Sequence, residues 1–250
     1  MIKAILVGAS GKMGGFITDC AANDSEIEII AGVDKVNIGQ KYPIFANFDG
    51  INAKADVIID FSNPVLLDSI LNYAAKTNTA VVLATTGYND DQIAKIKAAS
   101  KQIPIFFTFN MSIGVNLLCS LAKKAAKVLG SDFDVEIIEK HHNLKIDAPS
   151  GTAIMLANAV NEQFNDSYNY EYDRHSKRAK RPKNEIGIHS VRGGTIVGEH
   201  DVIFAGRDEV ITLSHQATSK EVFAVGAIRA AKFISAKKLG LYDMNDIMSF

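Results

Sequence analysis

Cysteine is scarce in this chain: Cys20 and Cys119 are the only two thiols among 250 residues. No disulfide framework can be built from them, and they fit a reducing compartment. An excess of one charge is lacking as well, since 27 basic and 28 acidic residues leave a formal net charge of −1. That balance gives no overall pull toward nucleic acid or an anionic membrane. No apolar run approaches the roughly 18 residues of a membrane span. The N-terminal run Ile2 to Val7 is too short for the apolar core of a secretion signal and leads directly into glycines. Internal repeats and low-complexity segments are missing too. These absences point to a globular protein of the cytoplasm, and 47% hydrophobic with 22% charged residues is ordinary for that class. A chain of this length can bury one large core or two modest ones.

What is present begins with alternation. Over the first 110 residues, β-rich runs at Lys3 to Val7, Glu26 to Val33, Asp56 to Phe61, Ala80 to Thr85 and Ile103 to Phe109 alternate with helical patterns. The helical patterns lie near Lys12 to Ala22, Pro64 to Thr77 and Asp90 to Ser100. Pro64 suits a first helical position and Asn89 suits a cap. Near-continuous apolar strands separated by helices predict a parallel sheet covered on both faces.

After Asn110 the pattern changes. The spacing predicts a helix from Ser112 to Leu129 with Leu117, Leu118, Leu121, Ala125, Val128 and Leu129 on one face and Gly130 as its stop. A strand from Phe133 to Glu139 follows, then a helix from Gly151 to about Phe164 and a polar loop from Asn165 to Lys183. Strands at Glu185 to Arg192, Thr195 to Phe204 and Glu209 to Ala217, joined by tight glycine-containing turns, read as an antiparallel meander. The last helix, Lys220 to Lys237, is apolar on nearly every face and is expected to be well buried.

Gly8-Ala9-Ser10-Gly11-Lys12-Met13-Gly14 follows the first strand and opens the first helix. Glycines there allow a tight turn and close approach of backbone amides to a pyrophosphate. The second strand ends in Gly32-Val33-Asp34, an acid 20 residues after Gly14 that can accept hydrogen bonds from ribose hydroxyls. Lys35 beside it, or Lys12 in the loop, either pairs with a 2′-phosphate or is a surface charge; dual use of NADH and NADPH is expected. Ala84-Thr85-Thr86-Gly87 and Thr108-Phe109-Asn110-Met111 end the fourth and fifth strands, where small and hydroxylated residues can meet the nicotinamide ribose and carboxamide.

The run Glu139 to Ala153 holds two histidines (His141 and His142), Lys145 and a helix start. Pro149 interrupts the extended run, Ser150 suits an N-cap, and Gly151 and Thr152 offer the first helical amides. A proton donor, a cation and an anion-binding backbone pocket thus lie close together in sequence.

Together these features closely resemble the bacterial 4-hydroxy-tetrahydrodipicolinate reductase family, also called dihydrodipicolinate reductases, of the diaminopimelate–lysine pathway. The resemblance spans essentially the whole chain. It rests on Gly8 to Gly14, Ala84-Thr85-Thr86-Gly87, Asn110-Met111-Ser112-Ile113-Gly114-Val115-Asn116, Glu139 to Ala153 and Ile196-Val197-Gly198-Glu199-His200. It implies a Rossmann-type dinucleotide-binding domain (1–111 and 221–250) and an α+β substrate-binding and tetramerisation domain (112–220) with a mixed or antiparallel sheet. It also implies a homotetramer and a small dicarboxylate substrate; no metal is expected, and charge and hydropathy lead to no expectation of a nucleic-acid or membrane partner. Carried over by position, His141 resembles the family's proton donor/acceptor and Lys145 its second proton donor, while His142, Gly151 and Thr152 resemble substrate contacts. Gly8, Ala9, Ser10, Gly11, Lys12, Met13, Asp34, Lys35, Ala84, Thr85, Thr86, Thr108, Phe109, Asn110 and Met111 fall at the cofactor. Ala84 stands where the family usually has glycine, and Lys12 replaces a common arginine.

Two other readings compete. A different two-domain dehydrogenase would share the glycine loop without needing the His-His-x-x-Lys and Ser-Gly-Thr constellation. A redox-sensing or nucleic-acid-binding protein that uses the Rossmann unit as a switch would draw on the basic run Arg174, Lys177, Arg178, Lys180, Arg181 and Lys183. Such a run ordinarily forms a solvated loop, here placed to draw anionic ligands toward a substrate mouth.

Overall fold

The computed structural model describes residues 1–37 and 39–248. The first stretch forms β1 (Ile2–Val7), α1 (Lys12–Ala22), β2 (Ile27–Val33), β3 (Ile44–Phe45), β4 (Val57–Asp60), α2 (Leu67–Thr77), β5 (Ala80–Leu83), α3 (Asp90–Ala99) and β6 (Pro104–Phe107). There follow α4 (Ile113–Leu129), β7 (Asp134–His141), α5 (Gly151–Asn161), β8 (Asn169–Glu171), β9 (Glu185–Arg192), β10 (Gly198–Ala205) and β11 (Val210–Ala217). The chain ends with α6 (Glu221–Ser235), β12 (Gly240–Tyr242) and α7 (Met244–Met248). These elements form two compact units, Met1–Ile113 with Lys220–Phe250, and Gly114–Ser219. Ser249 and Phe250, which close the expected nucleotide domain, lie outside the described residues.

In the first unit, seven parallel strands run in the order β12-β6-β5-β4-β1-β2-β3. Successive side chains point to opposite faces of a strand, and both faces here are apolar. Ala4, Leu6, Val57, Ile59 and Val82 pack with Ile17 of α1 and with Ala224, Ala227, Ala231 and Ile234 of α6. Ile5, Val7, Ile58, Val81 and Leu83 pack with Ile70, Leu71 and Ala74 of α2 and Ile96 of α3. The small residues of α6 let it lie close: a Cβ on Gly226 would sit 1.8 Å from the Met111 carbonyl oxygen. Asn63 caps a short 3-10 turn at Pro64–Leu66 that leads into α2, and Asn89 and Gln92 form a reciprocal capping box on α3.

The second unit holds a mixed five-stranded sheet, ordered β11-β10-β7-β9-β8. The expected meander is corrected here: β10 and β11 are an antiparallel pair, but β9 and β10 flank β7, one parallel to it and one antiparallel. The Gly193-Gly194 link is therefore not a hairpin. It crosses the end of β7, where the Gly193 amide donates to the His141 carbonyl oxygen at 2.9 Å. The loop from Asn165 is not wholly irregular either, since β8 pairs parallel with β9.

Helices α4 and α5 supply the core of this unit. Val135, Ile137, Ile186, Ile188, Val202 and Phe204 pack against Leu118, Ala122 and Ala126 of α4 and Ala153, Leu156 and Val160 of α5. The apolar face read for α4 is not the buried one throughout: Leu117, Leu121 and Val128 are 42%, 44% and 77% exposed. Alanines rather than leucines line much of the buried stripe, because small side chains allow the helix to approach the sheet.

The basic run is tied down more than a solvated loop would be. Arg181 donates to Asp134, Glu136 and the carbonyls of Val135 and Glu185, Arg174 pairs with Glu136 and Glu185, and Lys177 pairs with Glu171. Both Cys20 and Cys119 are free and half-buried. Among the described residues, no helix is long and apolar enough to cross a membrane.

Candidate active site

In a parallel sheet every strand delivers its following loop to the same edge, and ligands of open α/β sheets bind along that edge. The loops after β1, β2, β4, β5 and β6 bring together Gly8 to Met13, Asp34 and Lys35, Phe61 and Ser62, Ala84 to Thr86, and Thr108 to Met111.

The glycine loop has the shape that a phosphate group needs. Gly8 has φ +82°, and a methyl group on it would meet the Phe61 carbonyl oxygen at 2.5 Å. On Gly14 a methyl would meet the carbonyl oxygens of Gly8 and Ala9 at 2.4 and 2.5 Å. These two glycines are demanded by the fold itself. Gly11 differs, since its nearest neighbour would be the Gly8 oxygen at an ordinary 3.4 Å. It is exposed at the N-cap of α1, a position with no side-chain cap and no acidic residue in the first turn. Helix amides left in that state suit an anion, so the residues present fit a bound dinucleotide.

Asp34 braces the same loop. Its Oδ2 accepts from the Ser10 amide at 2.9 Å, and its Oδ1 from the Val36 amide at 3.4 Å. Lys12 and Lys35 are exposed, Met13 is half-buried, and Ala9 is fully buried.

Residues at the later loops divide by role. Thr85 is 6% exposed, and its hydroxyl accepts from the Ser62 amide at 2.8 Å, so its side chain holds the loop after β4. Met111 belongs to the core at 3% exposure, which leaves its backbone as the part a ligand could meet. Thr86 and Phe109 are exposed, and Ala84, Thr108 and Asn110 are half-buried. Asn110 Oδ1 accepts from the Ser112 amide at 2.9 Å, which shapes the turn into α4.

Sequence reasoning missed Asp60. Burial pushes its carboxyl above the usual range, and hydrogen bonds from Ser62 and Tyr88 satisfy it. An acid closing an otherwise apolar strand was the signal that could have revealed it.

The second unit carries the other cluster. The strand expected to stop at Glu139 continues to His141, so alternation puts Glu139 and His141 on one side of β7. Register sets Arg192 of β9 beside His141, and His200 of β10 opposite Glu139. Glu139 is fully buried and held by a cluster of hydrogen bonds. Arg192 donates to both of its oxygens at 2.8 and 2.7 Å, the Ser150 amide donates at 3.1 Å, and His141 Nδ1 lies 2.5 Å away. Burial alone would raise this carboxyl, but the bonds from Arg192, His141 and Ser190 hold it down at about 2.

Burial lowers the pKa of His141; the Glu139 carboxylate pulls it back up, and the charges of Lys145 and Arg192 push it down again. The His200 ring lies 5.3 Å from the His141 ring, edge to face, and its Nε2 is 3.0 Å from Ser150 Oγ. Burial first, and then the nearby His141, hold His200 down at about 4.

Ser150 caps α5 as expected, accepting from the Ala153 amide at 3.1 Å. Gly151 opens that helix, is exposed, and would meet nothing within 4 Å if it carried a Cβ. Thr152 follows it on the first turn. Lys145 Nζ donates to Asp147 at 2.8 Å and is close enough to influence both histidines electrostatically. His142 is half-buried beside them. Arg192, His200 and the role of Glu139 escaped sequence reasoning because β7, β9 and β10 bring them together from distant positions. Glu139 alone had a local signal, its i,i+2 spacing to His141.

Comparison with known proteins fits both units. The sequence pattern of the dihydrodipicolinate reductase N-terminus matches residues 2–111, and that of the C-terminus matches residues 114–248. The 4-hydroxy-tetrahydrodipicolinate reductase of Caldanaerobacter subterraneus subsp. tengcongensis is 50% identical, over 99% of this chain and 98% of its own. Its counterpart in Clostridium botulinum is 47% identical, over 99% and 98% of the two chains. The dipicolinate-bound dihydrodipicolinate reductase of Paenisporosarcina sp. TG-14 superposes with a TM-score of 0.83 at 27% identity, over 99% of each chain. With full-length relatives at half identity and both halves matched in order, this chain belongs to the dihydrodipicolinate reductase family.

Proposed function

We propose that the protein reduces 4-hydroxy-tetrahydrodipicolinate to tetrahydrodipicolinate with NADH or NADPH, in diaminopimelate and lysine biosynthesis in the cytoplasm. The observation that carries this reading is the buried Glu139–His141 pair beside Lys145 and the capped start of α5. A ring dicarboxylate needs cations and oriented amides for its two carboxylates. Lys145, His142 and the amides of Gly151 and Thr152 are assigned to that task. The bound nicotinamide supplies a hydride. Gly8 to Met13 hold its pyrophosphate, Asp34 its adenine ribose, and Ala84, Thr85, Thr86 and Thr108 to Met111 its nicotinamide half. Hydride addition to a conjugated bond leaves enamine-like density on the substrate, and His141 protonates the neighbouring carbon.

A coupled assay tests this proposal. Aspartate semialdehyde, pyruvate and the preceding synthase generate the substrate, while absorbance follows NADH or NADPH oxidation. No oxidation with either cofactor would refute it.

Cofactor choice is assigned to Lys35. If it reaches a 2′-phosphate, Lys35→Ala weakens NADPH by about 5- to 30-fold, the equivalent of about 1 to 2 kcal/mol for a partly exposed charge-assisted contact. NADH is then little affected, and titration with each cofactor measures the difference. Equal effects on both would make Lys35 a plain surface charge.

We also infer a homotetramer built through the second unit. Its edge strand β11 alternates exposed and half-buried residues, and Val210 is 63% exposed. Light scattering should give about four times the 27.1 kDa chain mass. A mass near that of one chain at micromolar concentration would overturn the assembly.

A further inference from the structure

The shared proton between Glu139 and His141 has a definite owner. Arg192 grips both Glu139 oxygens, the Ser150 amide fills another lone pair of Oε1, and Arg192 Nη2 also donates to the Asp147 carbonyl at 2.6 Å. A carboxylate gripped in this way by a guanidinium stays ionised, and an ionised carboxylate can only accept. The hydrogen in the 2.5 Å contact therefore sits on His141 Nδ1.

We propose that Glu139, locked by Arg192 and Ser150, is a positioning residue for His141, reserving Nε2 as the ring atom that takes up and releases the proton. The proposal deepens the reductase reading and rests on it. The neutral ring carries its hydrogen on Nδ1 and a lone pair on Nε2. When Nε2 is protonated, the resulting imidazolium faces the buried carboxylate. In the transfer step the Nε2–H bond breaks and its electron pair stays on the nitrogen. The enamine pair of the substrate forms the new C–H bond, and Glu139 never changes its protonation.

The other side of the ring is kept clear. A Cβ on Gly198 would lie 3.1 Å from His141 Nε2, so glycine at the start of β10 leaves that atom uncrowded. Among the described residues, Nε2 makes no hydrogen bond. The charged and titratable groups around the ring are Glu139 on β7, Arg192 on β9, His200 on β10 with His215 opposite it on β11, and Lys145 and Asp147 in the link to α5. Of these, Glu139 alone is hydrogen-bonded to the His141 ring. His200 turns its Nε2 to Ser150, and Lys145 turns to Asp147.

The test is a tautomer measurement on the full-length protein labelled with ¹⁵N-histidine, with the His141 signals assigned by their loss in His141→Gln. Long-range ¹H–¹⁵N spectra taken above the pKa should show His141 protonated at Nδ1. In Glu139→Gln the ring becomes a mixture of tautomers and its pKa falls, because the imidazolium has lost its carboxylate. The decline of kcat with rising pH then begins at lower pH, and kcat drops about 10- to 10²-fold while the KM for NADH moves less than about twofold. A wild-type His141 protonated at Nε2 overturns the proposal, and so does a Glu139→Gln protein with unchanged tautomer and pH profile. Should Glu139→Gln fail to fold, the wild-type spectrum decides alone. The spectrum needs no substrate, so a protein inactive in the coupled assay yet protonated at Nδ1 would sink the reductase reading and leave the positioning role standing.

Discussion

His141→Gln lowers turnover by at least about 10²-fold and leaves NADH affinity unchanged, because general acid–base assistance contributes about 10²–10⁴-fold and His141 lies outside the glycine loop. Lys145→Ala also lowers turnover and in addition raises the Michaelis constant, since it removes a cation assigned to a substrate carboxylate. The opposing possibility is that both side chains only stabilise the second unit. Loss of either would then depress the melting temperature and leave the folded fraction fully active. Melting temperature, NADH dissociation constant and turnover measured on the same variants separate the two cases. A stable His141→Gln protein with near-normal turnover would remove His141 from the mechanism and leave Lys145 as the candidate acid.

Acid is expected to destabilise the protein in two successive windows. His200 has its pKa held at about 4, against about 6.5 for an exposed histidine. The unfolded chain therefore binds the extra proton first, and stability is lost as pH falls from about 6.5 toward 4. His141 and His215 are shifted in the same direction and add to this window. Glu139, held at about 2 against an ordinary 4.5, contributes stability that is present above about 4.5 and disappears as pH falls toward 2. At about 1.4 kcal/mol per pKa unit, each of these two groups accounts for up to about 3 kcal/mol, a large part of the roughly 5–15 kcal/mol that holds a domain together. Urea midpoints followed from pH 7.5 to 3 should fall in both windows. His200→Gln, which can still hydrogen-bond to Ser150 but does not titrate, should flatten the upper one. Equal midpoints at pH 7 and pH 4.5 would contradict the assignment.

Much of the first unit was legible in the sequence because its strands are buried on both sides. Continuous apolar runs such as Val57-Ile58-Ile59 leave little ambiguity, and the caps at Asn89 and Ser150 mark helix starts by local chemistry. The second unit was harder to read because its signals are not local. Leu117 and Leu121 outweighed Ala122 and Ala126 on size, although helix-to-sheet distance favoured the alanines. The Gly193-Gly194 pair has the composition of a hairpin, and only the position of β7 between β9 and β10 shows otherwise. The same holds for chemistry. His141 and Lys145 stood out through local chemistry and a family motif, whereas Arg192 lies in no such motif and His200, though in one, takes its place beside Glu139 only through strand register.

The return of the chain to its first unit bears on how the protein is made. Helix α6 shares one face of the seven-stranded sheet with α1, and it is encoded after the whole of Gly114–Ser219. A ribosome that has delivered the first 113 residues has therefore released a sheet with Ile59, Val82 and Phe106 still uncovered on that face. The second unit, contiguous in sequence, emerges with all its own strands and helices and can close first. The second unit can thus be complete before the first, whose apolar face stays bare until residues 221–235 arrive.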